Sequence, residues 1–433
     1  MRSSQRILIA GTGPVSVQLA VCFQSDRDCV IGISGRRSLR AASFFHSLEA
    51  GNYMVRVHIQ NPKHQPMEGS AGIHETFTSH ADIQGQWDML VLAVTADAYI
   101  EVLEQISNEV LEQVQCVVLL SPTFGSNYLI QSFFANVNRS VEIISFSSYL
   151  GDTRWLDGEP SSQVITTGVK KKIYLGSTVP DSASMQGLYA MFIEKGLLVE
   201  RLATPLEAET RNISLYVHPP LFMNEFSLRA IFGEADSRKY VYKLYPEGPI
   251  TPRLIADMRA QWKEIMHLLS RLNIRGMNLL QFMIDDHYPV PEESLSRADI
   301  EQFEHVPPIH QQYLLFVRYA SLLIDPFSKA DGEGRYFDFS AVPIRPIYTN
   351  AEGCLDMPRM PKEDYYRIKI IQGIARFMEV PCPTIDRFIE TYEQKITAYA
   401  RQHANKTLSS AFTVQSFEQE ISMIKSITIK GEK

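Results

Sequence analysis

At 433 residues the chain exceeds what one hydrophobic core usually serves, so two domains are expected. Hydrophobic residues at 45% and charged residues at 21% mark a globular protein rather than a disordered one. A formal net charge of -7, spread along the chain, argues against nucleic acid as the main partner.

In chain order, residues 7–10 read as a strand and 15–24 as a helix, with Val15, Leu19, Cys22 and Phe23 along one side. Residues 29–33 are the next strand, 39–48 a helix, and 53–59 alternate as a strand does. Residues 89–94 form a continuous apolar run, as in a central parallel strand covered on both faces. A helix is predicted over 98–110, with buried strands over 116–120 and 141–146. This rhythm predicts a doubly wound parallel sheet. Beyond Ser148 it changes. Residues 164–166 and 172–175 read as a β-hairpin around Gly168, and a helix follows over 184–195. From Pro205 onward helical patterns dominate, over 254–272, 310–323, 365–377 and 385–400, separated by proline-marked loops at 289–291, 307–308, 343–346 and 358–361.

Five cysteines (Cys22, Cys29, Cys116, Cys354 and Cys382) are odd in number, scattered and without CxxC spacing. Neither a disulfide framework nor a protein-bound metal is expected. The first apolar run is too short for a signal-peptide core or a membrane span, so a cytoplasmic location without membrane association is expected. His305 and His310 are separated by two prolines and cannot share one helical face, which speaks against a metal pair.

Gly11-Thr12-Gly13-Pro14-Val15-Ser16 follows the first strand and opens the first helix. Gly11 allows the tight turn, Gly13 lets the backbone approach a pyrophosphate, and Ser16 is small enough for helix to pack on strand. Pro14 suits the first helical turn, and the helix N-terminus offers free N–H groups to phosphate. This placement predicts a dinucleotide-binding Rossmann domain. The fold class is therefore α/β: an N-terminal Rossmann doubly wound parallel sheet over 1–180, plus a C-terminal α-rich domain over 181–433 that carries catalysis and dimerisation. About 20 residues after the glycines an NAD enzyme places a carboxylate on the ribose. Here the chain reads Ser34-Gly35-Arg36-Arg37-Ser38-Leu39-Arg40. Arg36, Arg37 and Arg40 are what a 2′-phosphate needs, because guanidinium groups bind phosphate by paired, charge-assisted bonds. NADPH is the expected cofactor.

Two further segments bear on chemistry. Ser147-Ser148-Tyr149-Leu150-Gly151-Asp152-Thr153-Arg154 follows the sixth strand, where open α/β sheets place their ligands, so Asp152 and Arg154 are candidates for the reacting end. The second contains His218, followed by Pro219 and Pro220. Pro219 disfavours helical geometry at His218, so one helix is predicted to end there and another to start. That sets the imidazole at a helix N-terminus, which lowers its pKa, while a carboxylate such as Asp152 opposes the shift. Spacing alone favours a buried structural His218 and a surface salt bridge at Asp152 and Arg154.

The Gly11–Ser16 loop, Leu120-Ser121-Pro122-Thr123-Phe124-Gly125-Ser126, Ser148-Tyr149-Leu150-Gly151-Asp152-Thr153-Arg154 and Tyr216-Val217-His218-Pro219-Pro220-Leu221-Phe222-Met223-Asn224 together resemble the staphylopine-type opine dehydrogenases, over essentially the whole chain. Asn212, His218 and Asn224 more distantly resemble the octopine dehydrogenase group. The resemblance implies reductive condensation of a 2-oxo acid, pyruvate or 2-oxoglutarate, with the primary amine of a carboxyaminopropyl-histidine intermediate. The product would be a metal-chelating opine. It implies that His218 is the proton donor/acceptor, that Asp152 lies by the substrate, and that Thr12, Gly13, Pro14, Val15, Arg36, Arg37 and Arg40 hold NADP. Arg154 and Arg211 are candidates for substrate carboxylates, with Asn212 and Asn224 as further substrate contacts. The metal belongs to the product. Competing readings are a 2-oxo acid reductase of the ketopantoate-reductase type, which needs no amine, and a non-catalytic NADP-binding sensor.

Overall fold

A computed structural model describes residues 4–24, 29–137, 139–324 and 330–431. The chain divides into two compact units, one running to Asn212 and taking in the chain from Ser422, the other spanning Ile213–Ile421.

The first unit contains β1 (Gln5–Ala10), α1 (Pro14–Gln24), β2 (Cys29–Ser34), α2 (Leu39–Ala50), β3 (Met54–Ile59), β4 (Gly69–Gly72), β5 (Glu75–Phe77) and β6 (Met89–Leu92). It continues through α3 (Tyr99–Gln105), α4 (Asn108–Leu111), β7 (Cys116–Leu119), α5 (Ser126–Asn136), β8 (Glu142–Phe146), β9 (Gly151–Trp155) and β10 (Gln163–Val169). It closes with β11 (Lys172–Ser177), α6 (Ala183–Glu194), β12 (Leu198–Leu202) and α7 (Pro205–Thr210). Eight strands form the main sheet in the order β5-β2-β1-β6-β7-β8-β11-β12. All its pairings are parallel except β8 with β11. Alternation decides the two faces. Ile7 and Ile9 of β1 join one apolar cluster, while Leu8 and Ala10 join the other. The strand order reverses between β1 and β6, the switch point where doubly wound sheets bind their ligands. The predicted fold class holds.

Three details differ from the sequence reading. The hairpin is not 164–166 with 172–175. β10 pairs antiparallel with β9 and parallel with β3 in a separate four-stranded sheet, while β11 crosses to the main sheet. Gly151 makes that pairing feasible, since a Cβ there would lie 2.4 Å from the Gly168 carbonyl oxygen. The helix expected over 98–110 is broken by Ile106, which is extended (φ -82°, ψ 133°) and buried in the core between α3 and α4. The division expected near Pro180 lies inside the first unit, because α6 and β12 follow β11 into the same sheet.

The second unit is mostly helical: α8 (Ser214–Phe222), α9 (Glu225–Ile231), α10 (Pro252–Arg271), α11 (Leu279–Asp285), α12 (Arg297–Gln302), α13 (Pro308–Ala320), α14 (Arg359–Phe377) and α15 (Pro383–Gln402). A two-stranded ribbon, β13 (Tyr348–Thr349) with β14 (Leu355–Asp356), precedes α14, and α16 (Glu418–Gly431) begins here. α14 starts well before the predicted residue 365. Pro361 falls in its first turn, where a missing N–H costs nothing. Among the described residues, no helix is long and apolar enough to cross a membrane.

Candidate active site

In the first unit the β1–α1 loop has the features a dinucleotide requires. Gly11 has φ +135°, and a Cβ on it would lie 2.6 Å from the Ala93 carbonyl oxygen, so only glycine fits. Its N–H donates to the Ser34 carbonyl at 2.8 Å, tying the loop to the end of β2. Above Gly13 nothing lies within 4 Å of an added Cβ, which leaves that face open to an approaching group. Ser16 is fully buried, with its Oγ 3.4 Å from where a Gly11 Cβ would stand. Gly35 is equally constrained, since a Cβ there would meet the Thr12 methyl at 2.6 Å.

Arg36, Arg37 and Arg40 are exposed around the start of α2, which Ser38 caps through its side chain. Arg37 is 3.7 Å from Asp82, an exposed pairing of little strength. No carboxylate stands at Ser34, the end of β2. His80 occupies that neighbourhood instead, with Nδ1 3.0 Å from Ser34 Oγ. Burial, with a smaller contribution from Arg36, lowers its pKa to about 4 and keeps it neutral. Neutral polar groups and three exposed cations suit a ribose phosphate better than a ribose hydroxyl.

The segment after β8 is ordered by polar side-chain bonds. Asp152 and Arg154, two residues apart on β9, share one face and pair with each other, and Thr167 Oγ1 donates to Asp152 Oδ2 at 3.0 Å. Burial would raise the Asp152 pKa, yet the bonds from Arg154 and Thr167 hold it below the usual carboxylate value. Lys170 donates to Ser148 Oγ, and burial lowers its pKa to about 8. Glu209 of α7 is fully buried. It accepts from the backbone N–H of Gly125 (2.9 Å) and Asn127 (2.7 Å), from Asn127 Nδ2 (3.1 Å) and from Ser145 Oγ (2.8 Å). It thereby pins the α5 N-terminus to β8, and burial raises its pKa to about 8 against those four donors.

In the second unit His218 sits inside α8, not at a helix start. The expected break fails for a visible reason. Pro219 deprives the Leu215 carbonyl of its helical donor, and Gln261 of α10, fully buried, supplies one at 2.6 Å. His218 Nε2 is 3.4 Å from Ser214 Oγ, and the ring stands edge-on to Phe222 at 5.5 Å. Within its own unit the carboxylate beside it is Asp364 of α14: Nδ1 and Oδ1 are 3.6 Å apart, with Asp364 fully buried and the imidazole 18% exposed. Arg367, one turn on, grips the same Oδ1.

Asn224 spends its side chain on the corner between α8 and α9. Its Oδ1 accepts from Ser227 N–H at 2.9 Å, and its Nδ2 donates to the Pro220 and Leu221 carbonyls and to Ser227 Oγ. Asn212 is buried at the end of the first unit, and Arg211 lies 3.8 Å from Glu207. Sequence reasoning missed Asp364, Arg367, Gln261 and Glu209, and the four-residue spacing from Pro219 back to Leu215 is the one local signal that called for Gln261.

A single unit built around a glycine cradle and another around a histidine–aspartate pair find their match among known proteins. The family described as staphylopine dehydrogenase matches residues 5–428. The chain belongs to that family. The staphylopine synthase of Staphylococcus aureus (strain Mu50 / ATCC 700699) is 46% identical over 97% of each chain. The pseudopaline synthase of Pseudomonas aeruginosa (strain UCBPP-PA14) is 36% identical over 95% of this chain and 94% of that one. A yersinopine dehydrogenase solved with NADP+ bound superposes with a TM-score of 0.91 at 32% identity, covering 99% of this chain and all of the other. This staphylopine dehydrogenase family member is thus an opine dehydrogenase, an oxidoreductase of opine synthesis.

Proposed function

We propose that this chain is an NADPH-dependent opine dehydrogenase that joins a 2-oxo acid, pyruvate or 2-oxoglutarate, to the primary amine of a carboxyaminopropyl-histidine, yielding a metal-chelating opine. The observation that carries the reading is the His218–Asp364 pair, a partly accessible imidazole 3.6 Å from a fully buried carboxylate. The Gly11–Ser16 loop would hold the pyrophosphate, and Arg36, Arg37 and Arg40 the 2′-phosphate. Bound there, NADPH supplies hydride.

The chain's own groups do the proton work. Asp364 beside Nδ1 favours the tautomer protonated on that nitrogen. Nε2 then exchanges protons with the condensing nitrogen and with the hydroxyl that leaves as water. Arg367 on the same oxygen holds Asp364 in place. Asp152, held ionised and half exposed, is available to a substrate ammonium. A homodimer in the cytoplasm is the expected setting.

Mass spectrometry of products from both oxo acids, the amine and NADPH together tests the reading. The expected product carries both the oxo-acid and the amine skeletons. NADPH oxidation by an oxo acid without amine would replace it with simple 2-oxo acid reduction.

A further inference from the structure

The helical unit contains a cation that the proton chemistry does not use. Arg318, in the last turn of α13, is 95% buried, from a relative exposure of 5%. Among the described residues it makes no ion pair, and its Nε has no hydrogen-bond acceptor. Its one close partner is a ring face, with Cζ 5.0 Å from the centroid of Tyr319. A stacked ring softens a guanidinium's desolvation without neutralising it.

α10 packs against both α8, which carries His218, and α13, which carries Arg318, and Tyr242 feels the charges of both Arg318 and Asp364. Asp364 faces His218 and Arg367 through Oδ1, and its Oδ2 has no hydrogen-bond partner among the described residues. The buried ensemble therefore holds two guanidiniums, Arg318 and Arg367, against one carboxylate. Water can satisfy a spare N–H, but it cannot cancel an interior charge. A buried arginine without a counter-ion is costly to the fold, and an anion arriving from solution removes that cost.

We infer that Arg318 is the receptor for a carboxylate of the substrate, in a subsite beside the His218–Asp364 pair. The inference rests on the opine dehydrogenase reading, in which both the oxo acid and the amine carry carboxylates. A planar fork that binds a carboxylate through two parallel bonds suits this better than a flexible ammonium. Held there, the substrate's reacting carbon and nitrogen are kept beside the imidazole, and the surplus positive charge favours the more anionic of competing ligands.

The test compares the parent with Arg318→Met and Arg318→Lys in steady-state kinetics on oxo acid and amine, NADPH binding and thermal melting. Arg318→Met should raise the KM of one carboxylate-bearing substrate by about 10–150-fold, the range expected for a lost charge-assisted pair. The kcat should change by less than about threefold, NADPH binding should stay as in the parent, and the Tm should equal or exceed the parent's, because an uncompensated charge has gone. Arg318→Lys should lie between, with charge retained and the fork lost. Whether the KM of the oxo acid or of the amine moves identifies which carboxylate Arg318 receives. Both KM values within twofold of the parent in Arg318→Met overturn the inference, as does a lower Tm or failure to fold in that variant, which marks a structural arginine. Absence of parental turnover with oxo acid plus amine is a separate result, and refutes the opine reading instead.

Discussion

The two units carry sites of opposite construction. The cradle of the first is made almost entirely of backbone. Gly11, Gly13 and the α1 N-terminus are contiguous in sequence, and side chains matter there mainly by being small. The cluster of the second is made of side chains from separate helices: His218 on α8, Gln261 on α10, and Asp364 with Arg367 on α14. Helix N–H groups cannot be titrated or removed singly, so the first site should respond to substitution in steps of affinity. The second is a set of coupled charges, in which removing one member leaves another buried and unpaired.

The sharpest way to break that contrast is at His218. His218→Ala should lower kcat by about 10²–10⁴-fold while NADPH binding stays intact, measured by single-turnover rates and cofactor titration. Asp364→Asn should lower kcat less than His218→Ala, because the imidazole survives without the partner that fixes its tautomer. The double variant should be no worse than His218→Ala alone. Additive losses would show two independent groups rather than one coupled pair.

At the other site the effects should be smaller and confined to binding. Replacing Arg36, Arg37 and Arg40 one at a time by serine should weaken NADPH by about 10–100-fold at the arginine that meets the phosphate. NADH should be nearly unaffected, so the ratio of kcat/KM for the two cofactors is the measurement. An equal loss for both would mean that these cations do not read the 2′-phosphate.

The same difference in construction explains what could be read from the chain. β1, the glycine loop, α1 and the arginines after β2 are defined within forty residues by periodicity and spacing, and the eight-stranded sheet follows from runs such as 89–94. His218 stood out through its two prolines. Its carboxylate did not, because Asp364 is 146 residues away in sequence, between lysine-, glutamate- and tyrosine-bearing positions that read as a solvated helix face. The crossing of β11 to the main sheet was equally hidden. Two strands flanking Gly168 look like a hairpin, and only the tight fit of Gly151 against that glycine's carbonyl says otherwise.

Gln261 offers a stability test of the helix that carries His218. Gln261→Leu removes the donor that replaces the one missing at Pro219 and leaves the Leu215 carbonyl buried without it. The cost should be about 1–3 kcal/mol in chemical denaturation. Because α8 is then free to break where its prolines favour a break, kcat should fall as well. Lost stability with unchanged kcat would show that α8 holds its shape without α10.

The smallest expected effect belongs to the cradle, through His80. Its folded pKa is lowered to about 4, first by burial and then by Arg36, whereas an unfolded histidine titrates near 6.5. Between those two values the unfolded chain takes up a proton that the folded chain refuses, so stability should fall as the pH drops from about 6.5 to about 4 and be flat above. The loss should be on the order of 1 kcal/mol once solvent screening is allowed for. Melting the parent against His80→Asn over that range measures it: the curves should run parallel above pH 6.5, and the parent should decline more steeply below. Saturating NADPH supplies a phosphate for Arg36 and so offsets part of the field that keeps His80 neutral, which should shrink the difference between parent and variant. A difference that is the same with and without cofactor would place the bound phosphate out of reach of Arg36, and the reading of that arginine would have to move to Arg37 or Arg40.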